Sequence, residues 1–207
     1  MAEVEARERA LTWAAERLAA HARGVVLDLG CGEGRFLPPR GIGIDVDRSR
    51  LRSARTRSPY VALADAHALP FAEGTFDTVF ANRMLNAAGR IDDVLAEAVR
   101  VLRADGQLLV LTLAVADPSK AGDRLTAENG EDRLRRHFAR VMVERCSDAE
   151  VRPASLFRAT HPLAAPRAAG RDREVTASTS MCPSSTSTCS WPVIAVGFNT
   201  LYPAAVR

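Results

Sequence analysis

Short apolar runs that end in a glycine or an acid recur along the first two thirds of the chain. Val25-Val26-Leu27-Asp28-Leu29 runs straight into Gly30-Cys31-Gly32-Glu33-Gly34. Ile42-Gly43-Ile44-Asp45 follows after about a dozen residues, close to the shortest crossover that joins parallel strands. Runs of this length without polar alternation read as strands covered on both faces. Val61–Leu63, Thr75–Ala81, Gln107–Leu113 and Phe138–Arg145 read as further strands. Between them the period changes from two to that of a helix. Residues 3–20 carry a stripe at Leu11, Ala15, Leu18 and Ala19, expected to cover the sheet edge with Trp13 in the core. Asp47 can cap a helix over Arg48–Arg57. Ile91–Arg103 places Ile91, Val94, Leu95, Ala98, Val101 and Leu102 on one face, with Asp92 and Asp93 at its start and Arg100 and Arg103 at its end. Glu131–His137 is a shorter helix. Strands alternating with helices predict an α/β, doubly wound, mostly parallel sheet.

Two segments fit that pattern less well. Arg35-Phe36-Leu37-Pro38-Pro39-Arg40 leaves room for a short helical turn and a tight loop only, because its prolines stop a helix. The closing strand has two candidates: Val151–Phe157, which contains Pro153, and Val193–Phe198, which lies far along the chain.

The glycines and the acids carry the candidate chemistry. A Gly turn at the carboxyl end of a buried strand is where ligands reach the backbone of an open α/β sheet. A flexible loop after an ordinary strand has the same short pattern. An acid at the tip of the second strand, Asp45, suits a ribose diol. A nicotinamide dinucleotide fold also wants a glycine three residues after the second one. Arg35 stands there, so the turn suits a ligand without a pyrophosphate.

With those residues in place, the chain resembles class I S-adenosylmethionine-dependent methyltransferases. Leu27–Gly34 is similar to their first motif, and Asp45 matches their acidic ribose ligand. Ala64-Asp65-Ala66, Leu69-Pro70-Phe71 and Phe76-Asp77-Thr78-Val79 resemble the small-molecule branch typified by the ubiquinone and menaquinone biosynthesis methyltransferases. The stretch Val94–Val110 resembles the helix and turn before that family's fifth strand. The resemblance implies a Rossmann-like sheet of about seven strands in the order 3-2-1-4-5-7-6. It implies S-adenosyl-L-methionine as cofactor, bound by Asp28, Gly30, Cys31, Gly32, Gly34, Asp45, Val46, Asp65, Ala66 and Asn82. Asp65 would reach the adenine amino group, with the Ala66 N–H beside the ring; a turn-capping role for Asp65 stays open. His67 reads as a solvated loop residue and not as a base. The loop Asn82–Asn86 would face both cofactor and acceptor, without the histidines that many relatives carry near position 86. Arg83 suits either an acceptor carboxylate or an acid of the domain surface. No catalytic residue is assigned.

Composition narrows the classes. A chain of 207 residues that is 47% hydrophobic can bury one core. The net charge of +3, with scattered arginines, shows no stripe for nucleic acid. No run reaches the length of a membrane span, and the acidic, charged N-terminus is unlike a signal peptide. The 4 cysteines are dispersed, so a reduced cytoplasmic protein without a metal site is expected. An N-terminal helix at 1–20, a methyltransferase domain at 21–158 and a Ser/Thr-rich, disordered tail at 159–207 are the expected divisions. Transfer of a methyl group to a small-molecule acceptor is the expected function. A methyltransferase-like binding or interaction module without activity is the alternative, with a nicotinamide dehydrogenase further off.

Overall fold

The computed structural model describes residues 2–86, 88–113, 123–146 and 154–163. The tail beyond them, and with it the Val193–Phe198 candidate, lies outside the described residues. Helix α1 (Ala2–His21) opens the chain. Strands β1 (Val26–Leu29), β2 (Ile42–Asp45), β3 (Val61–Leu63), β4 (Phe76–Asn82), β5 (Leu102–Leu113), β6 (Phe138–Arg145) and β7 (Ala154–Pro162) form one sheet. Helices α2 (Arg48–Ala54), α3 (Ile91–Val101) and α4 (Gly130–Leu134) and a 3-10 turn at Met84–Asn86 complete it. The order is β3-β2-β1-β4-β5-β7-β6, as expected. The first five pair in parallel, and β7 runs antiparallel between β5 and β6. No helix among the described residues is long and apolar enough to cross a membrane.

The closing strand begins inside the nearer candidate and runs on through Pro162. Its polar residues disguised it. Arg158 donates through Nε to Gln107 Oε1 at 2.9 Å, and Thr160 is buried between Gln107 and Arg140. A paired polar side chain can enter an inner strand at little cost. The sheet therefore extends past residue 158, where the tail was expected to begin. All seven strands end before residue 164. Deleting residues 164–207 is expected to leave a folded domain whose affinity for S-adenosylhomocysteine, read by calorimetry, stays within a few-fold. An insoluble or molten product would show that the fold needs the tail.

Helix α1 corrects two expectations. Its buried stripe is Ala10, Leu11, Ala14 and Leu18, while Ala15 and Ala19 are exposed. Alanines mark a helix face poorly, because they are common on both sides. It covers the centre of the sheet and not the edge: Ala14 and Leu18 pack with Phe80, Leu109, Leu111 and Leu156. Trp13 is half-buried against that cluster, as a core residue.

The β1–β2 crossover contains no helical turn. Reverse turns carry it instead, closed by Gly34 N–H to Cys31 O at 2.9 Å and Gly41 N–H to Pro38 O at 2.8 Å. Phe36 packs edge-on to Phe80 at 6.0 Å, against the core cluster that holds Ala14 and Leu18. The α3–β5 junction also differs from the sequence reading. α3 ends at Val101, Leu102 already pairs with Phe76, and the chain bulges before Gln107 rejoins opposite Thr78. Asp105-Gly106 is thus a bulge within a strand and not a turn before one.

Candidate functional site

β1 lies between β2 and β4, so its carboxyl end is flanked by the ends of both. The chain leaves it with Gly30, Gly32 and Gly34 at φ +67, +55 and +74, a left-handed region that L side chains enter at a cost. Each glycine has a separate reason. A Cβ at Gly30 would stand 2.7 Å from Met84 Cβ, so Gly30 lets the loop after β4 close over the turn. A Cβ at Gly34 would crowd Ala54 of α2 at 3.2 Å. Gly34 therefore provides close helix packing one residue earlier than in a dinucleotide turn. Gly32 faces open space, with nothing within 4 Å of a Cβ built there. Arg35 leaves the turn to pair with Glu8 of α1 at 2.6 Å.

Asp45 joins the second strand to this turn. Its Oδ2 accepts the Gly32 N–H at 2.8 Å and its Oδ1 accepts the Asp47 N–H at 2.8 Å. Its exposure is 8%, so this acid is buried, not standing free in an open crevice. Capping of α2 falls to Asp47, which accepts from Ser49 N–H at 2.8 Å and Arg50 N–H at 3.3 Å. The Ser49 hydroxyl, donating at 2.6 Å, and then these N–H groups hold the Asp47 carboxyl below the usual range. Val46, between the two acids, is 71% exposed. Leu63, opposite Asp45 in β3, is exposed as well. Two uncovered apolar side chains beside a carboxylate suit a flat, heteroaromatic ligand with a hydroxylated tail.

Asp65 follows β3, and the Ala64 N–H is held by Asp45 O at 3.2 Å. One oxygen of Asp65 accepts both the His67 N–H at 2.9 Å and His67 Nδ1 at 2.7 Å. The other ring nitrogen of His67 meets Gly89 O at 3.1 Å. A carboxylate and a carbonyl are both acceptors, so the imidazole serves as a double donor. Its pKa is raised, first by the hydrogen bond to Asp65, and that of Asp65 is lowered, first by the His67 N–H. His67 therefore braces two loops and is unsuited to take a proton. Ala66 is buried beside them. The loop that follows is clamped from α3. Arg100 donates to Phe71 O at 2.7 Å and Leu69 O at 3.0 Å, and Glu97 accepts the Leu69 N–H at 2.7 Å. Sequence reading placed Arg100 at a helix end only; the Glu97/Arg100 spacing of three was the available signal.

Beyond β4, Arg83 takes φ +59, and its N–H donates to Leu111 O at 3.0 Å. Three acceptors near these strand ends are buried without partners: Asp28 Oδ1, Asn82 Oδ1 and Asn86 Oδ1. Burial, reinforced by Asp45, pushes the Asp28 carboxyl up to about 8. Cys31 packs under β2, where a Cβ at Gly43 would meet its Sγ at 2.7 Å. Burial and then the Asp28 and Asp45 charges push its thiol up to about 12. Its side chain is a filler, and its N–H is held by Ile44 O at 2.8 Å. The open face of Gly32, the exposed Val46 and the orphaned acceptors together fit an adenosyl cofactor with an amino-acid tail.

Comparison with known proteins agrees with that fit. Residues 27–110 match the model of a methyltransferase domain. A malonyl-[acyl-carrier protein] O-methyltransferase of Legionella pneumophila is 35% identical over 101 residues, covering 42% of this chain and 36% of that protein. A ubiquinone/menaquinone biosynthesis C-methyltransferase of Roseobacter denitrificans is 36% identical over 121 residues, covering 51% of this chain and 47% of that protein. The matches thus span about a third to a half of these relatives. The structure of an S-adenosylmethionine-dependent methyltransferase from Thermotoga maritima, a possible histamine N-methyltransferase, superposes with a TM-score of 0.61 at 20% identity. It covers 71% of this chain and 87% of that one. The resemblance to class I S-adenosylmethionine-dependent methyltransferases is borne out by the matched domain, the relatives and the fold.

Proposed function

We propose that this chain is an S-adenosylmethionine-dependent methyltransferase acting on a small-molecule acceptor. The bond between Asp45 Oδ2 and the Gly32 N–H at 2.8 Å carries the reading, because it unites the acid and the glycine turn at one crevice. Asp45 keeps lone pairs for a ribose diol. Val46 and Leu63 offer apolar contact to the adenine, and the second oxygen of Asp65 and the Ala66 backbone remain for its edge. Asp28, Asn82 and Asn86 offer buried acceptors to N–H or O–H donors of the cofactor tail or the acceptor. When bound, the cofactor supplies a methyl group already activated by its sulfonium. The chain's own share is orientation and exclusion of water, which needs no protein nucleophile. Arg83, exposed and without an ion pair among the described residues, is the cation for an anionic acceptor.

The relatives' names guide the test. Transfer of a labelled methyl group should be measured with a quinol-type aromatic ring, a malonyl thioester and a wider set of small acceptors. Label transferred to a small acceptor, and none to RNA or DNA, is expected. A protein that binds S-adenosylhomocysteine and transfers to none of them would be a cofactor-binding module instead.

A further inference from the structure

A cleft of about 510 Å³ opens far from the glycine turn, lined by Arg23, Arg140, Met142, Arg158 and His161 around Ala104-Asp105 and Thr160. It lies at the amino ends of the central strands. Gln107 pairs with Thr78 at the start of β4, whereas Leu111 pairs with Asn82 at its end. Between those rows the strand advances roughly 13 Å. The methyl-transfer crevice and this cleft are therefore separate.

The sheet explains why it is open. Gln107, Thr160 and Arg140 form one cross-strand row, and Leu109, Arg158 and Met142 the next. Helix α1 covers Leu109. It ends at His21, whose carbonyl accepts from Gln107 Nε2. Beyond that end, the same sheet face runs on under Arg140 and Met142, which is 42% exposed.

Three guanidinium groups converge here. Arg158 is held through Nε by neutral Gln107 Oε1 at 2.9 Å, which leaves its terminal nitrogens to the cleft. Arg23 donates to the Asp105 carbonyl, not to a carboxylate. Arg140 has no hydrogen bond or ion pair among the described residues. Elsewhere arginines find acids: Arg35 with Glu8, Arg103 with Asp77, Arg133 with Asp92. Next along β6, Glu144 is taken by His21 at 2.6 Å and Arg17 at 3.6 Å. With one carboxylate, Asp105, to three guanidinium groups, the concavity carries an excess of positive charge that a bound anion would relieve. Arginine forks match the oxygens of phosphate two at a time. The volume is that of a small-molecule site.

We propose that this cleft binds a small phosphate-bearing molecule, held by Arg140, Arg158 and Arg23, at a site distinct from the methyl-transfer crevice. The inference does not rest on the methyltransferase reading. Pyrophosphate and glycerol 3-phosphate should be titrated by calorimetry into the full-length chain at fixed ionic strength. The proteins are wild type, Arg140→Gln/Arg158→Gln and the single Arg140→Gln. Melting temperature and S-adenosylhomocysteine affinity are read in parallel. Saturable one-to-one binding of one or both phosphates is expected, weakened roughly tenfold or more in the double variant and less in the single. Unchanged cofactor affinity is expected in both variants. A stronger response to pyrophosphate marks a free polyphosphate, and one to glycerol 3-phosphate an organic phosphomonoester; either supports the site. Equal phosphate affinity in wild type and double variant would overturn it. So would no saturation in the millimolar range, or a DNA duplex binding more tightly than either phosphate and losing that binding in the variants. Because Arg140 is exposed, the single variant keeps the test valid if the double variant unfolds.

Discussion

Replacing Asp45 with alanine is expected to weaken S-adenosylhomocysteine binding roughly thirty- to a hundred-fold, the largest effect of any single change in the first two loops. A carboxylate that receives ribose hydroxyls contributes about 2–3 kcal/mol through charge-assisted bonds. Here it also receives the Gly32 and Asp47 N–H groups at 2.8 Å each. Its removal loosens the turn, which the Cys31 N–H to Ile44 O bond still ties to the second strand, as well as stripping the ribose of its acceptor. The domain should stay folded with a lower melting temperature, because two partly buried N–H groups lose a partner. Asp47→Ala is the control. It removes the α2 cap, so it should lower the melting temperature while leaving affinity unchanged. Equal dissociation constants for Asp45→Ala and wild type would contradict the ribose assignment.

The second large effect is on stability against pH. Burial and the Asp45 charge raise Asp28 from 3.8 to about 8. Between those values the folded chain holds a proton there that the unfolded chain has lost. Stability therefore falls as pH rises through that window and levels off above about 8. The shift corresponds to roughly 6 kcal/mol between its two ends for this group. Asp28→Asn cannot ionise, so that share of the decline should vanish. Urea unfolding of both proteins across the window measures it. Parallel stability curves for the two proteins would show that Asp28 is ionised throughout in the fold.

The strand order and the crevice were legible because they follow from local signals. Buried parallel strands are continuous apolar runs, and Gly30–Gly34 and Asp45 mark the strand ends where the sheet opens. Features that depend on distant partners were not legible. Arg158 and Thr160 look like surface residues until Gln107 is placed beside them. Leu102 belongs to a helix by period and to the sheet by its pairing with Phe76. His67 looked solvated because the acceptor at Gly89 lies in another loop. The cationic cleft was invisible for the same reason: Arg23, Arg140 and Arg158 are scattered in sequence and meet only across β5, β7 and β6.

Calorimetric titration of the wild-type chain with S-adenosylhomocysteine, with NAD in a parallel cell, tests the central claim most directly. The glycine turn, Asp45 and the Asp65 loop predict saturable one-to-one binding of S-adenosylhomocysteine and no heat of binding from NAD. Saturable binding of NAD with none of S-adenosylhomocysteine would contradict it.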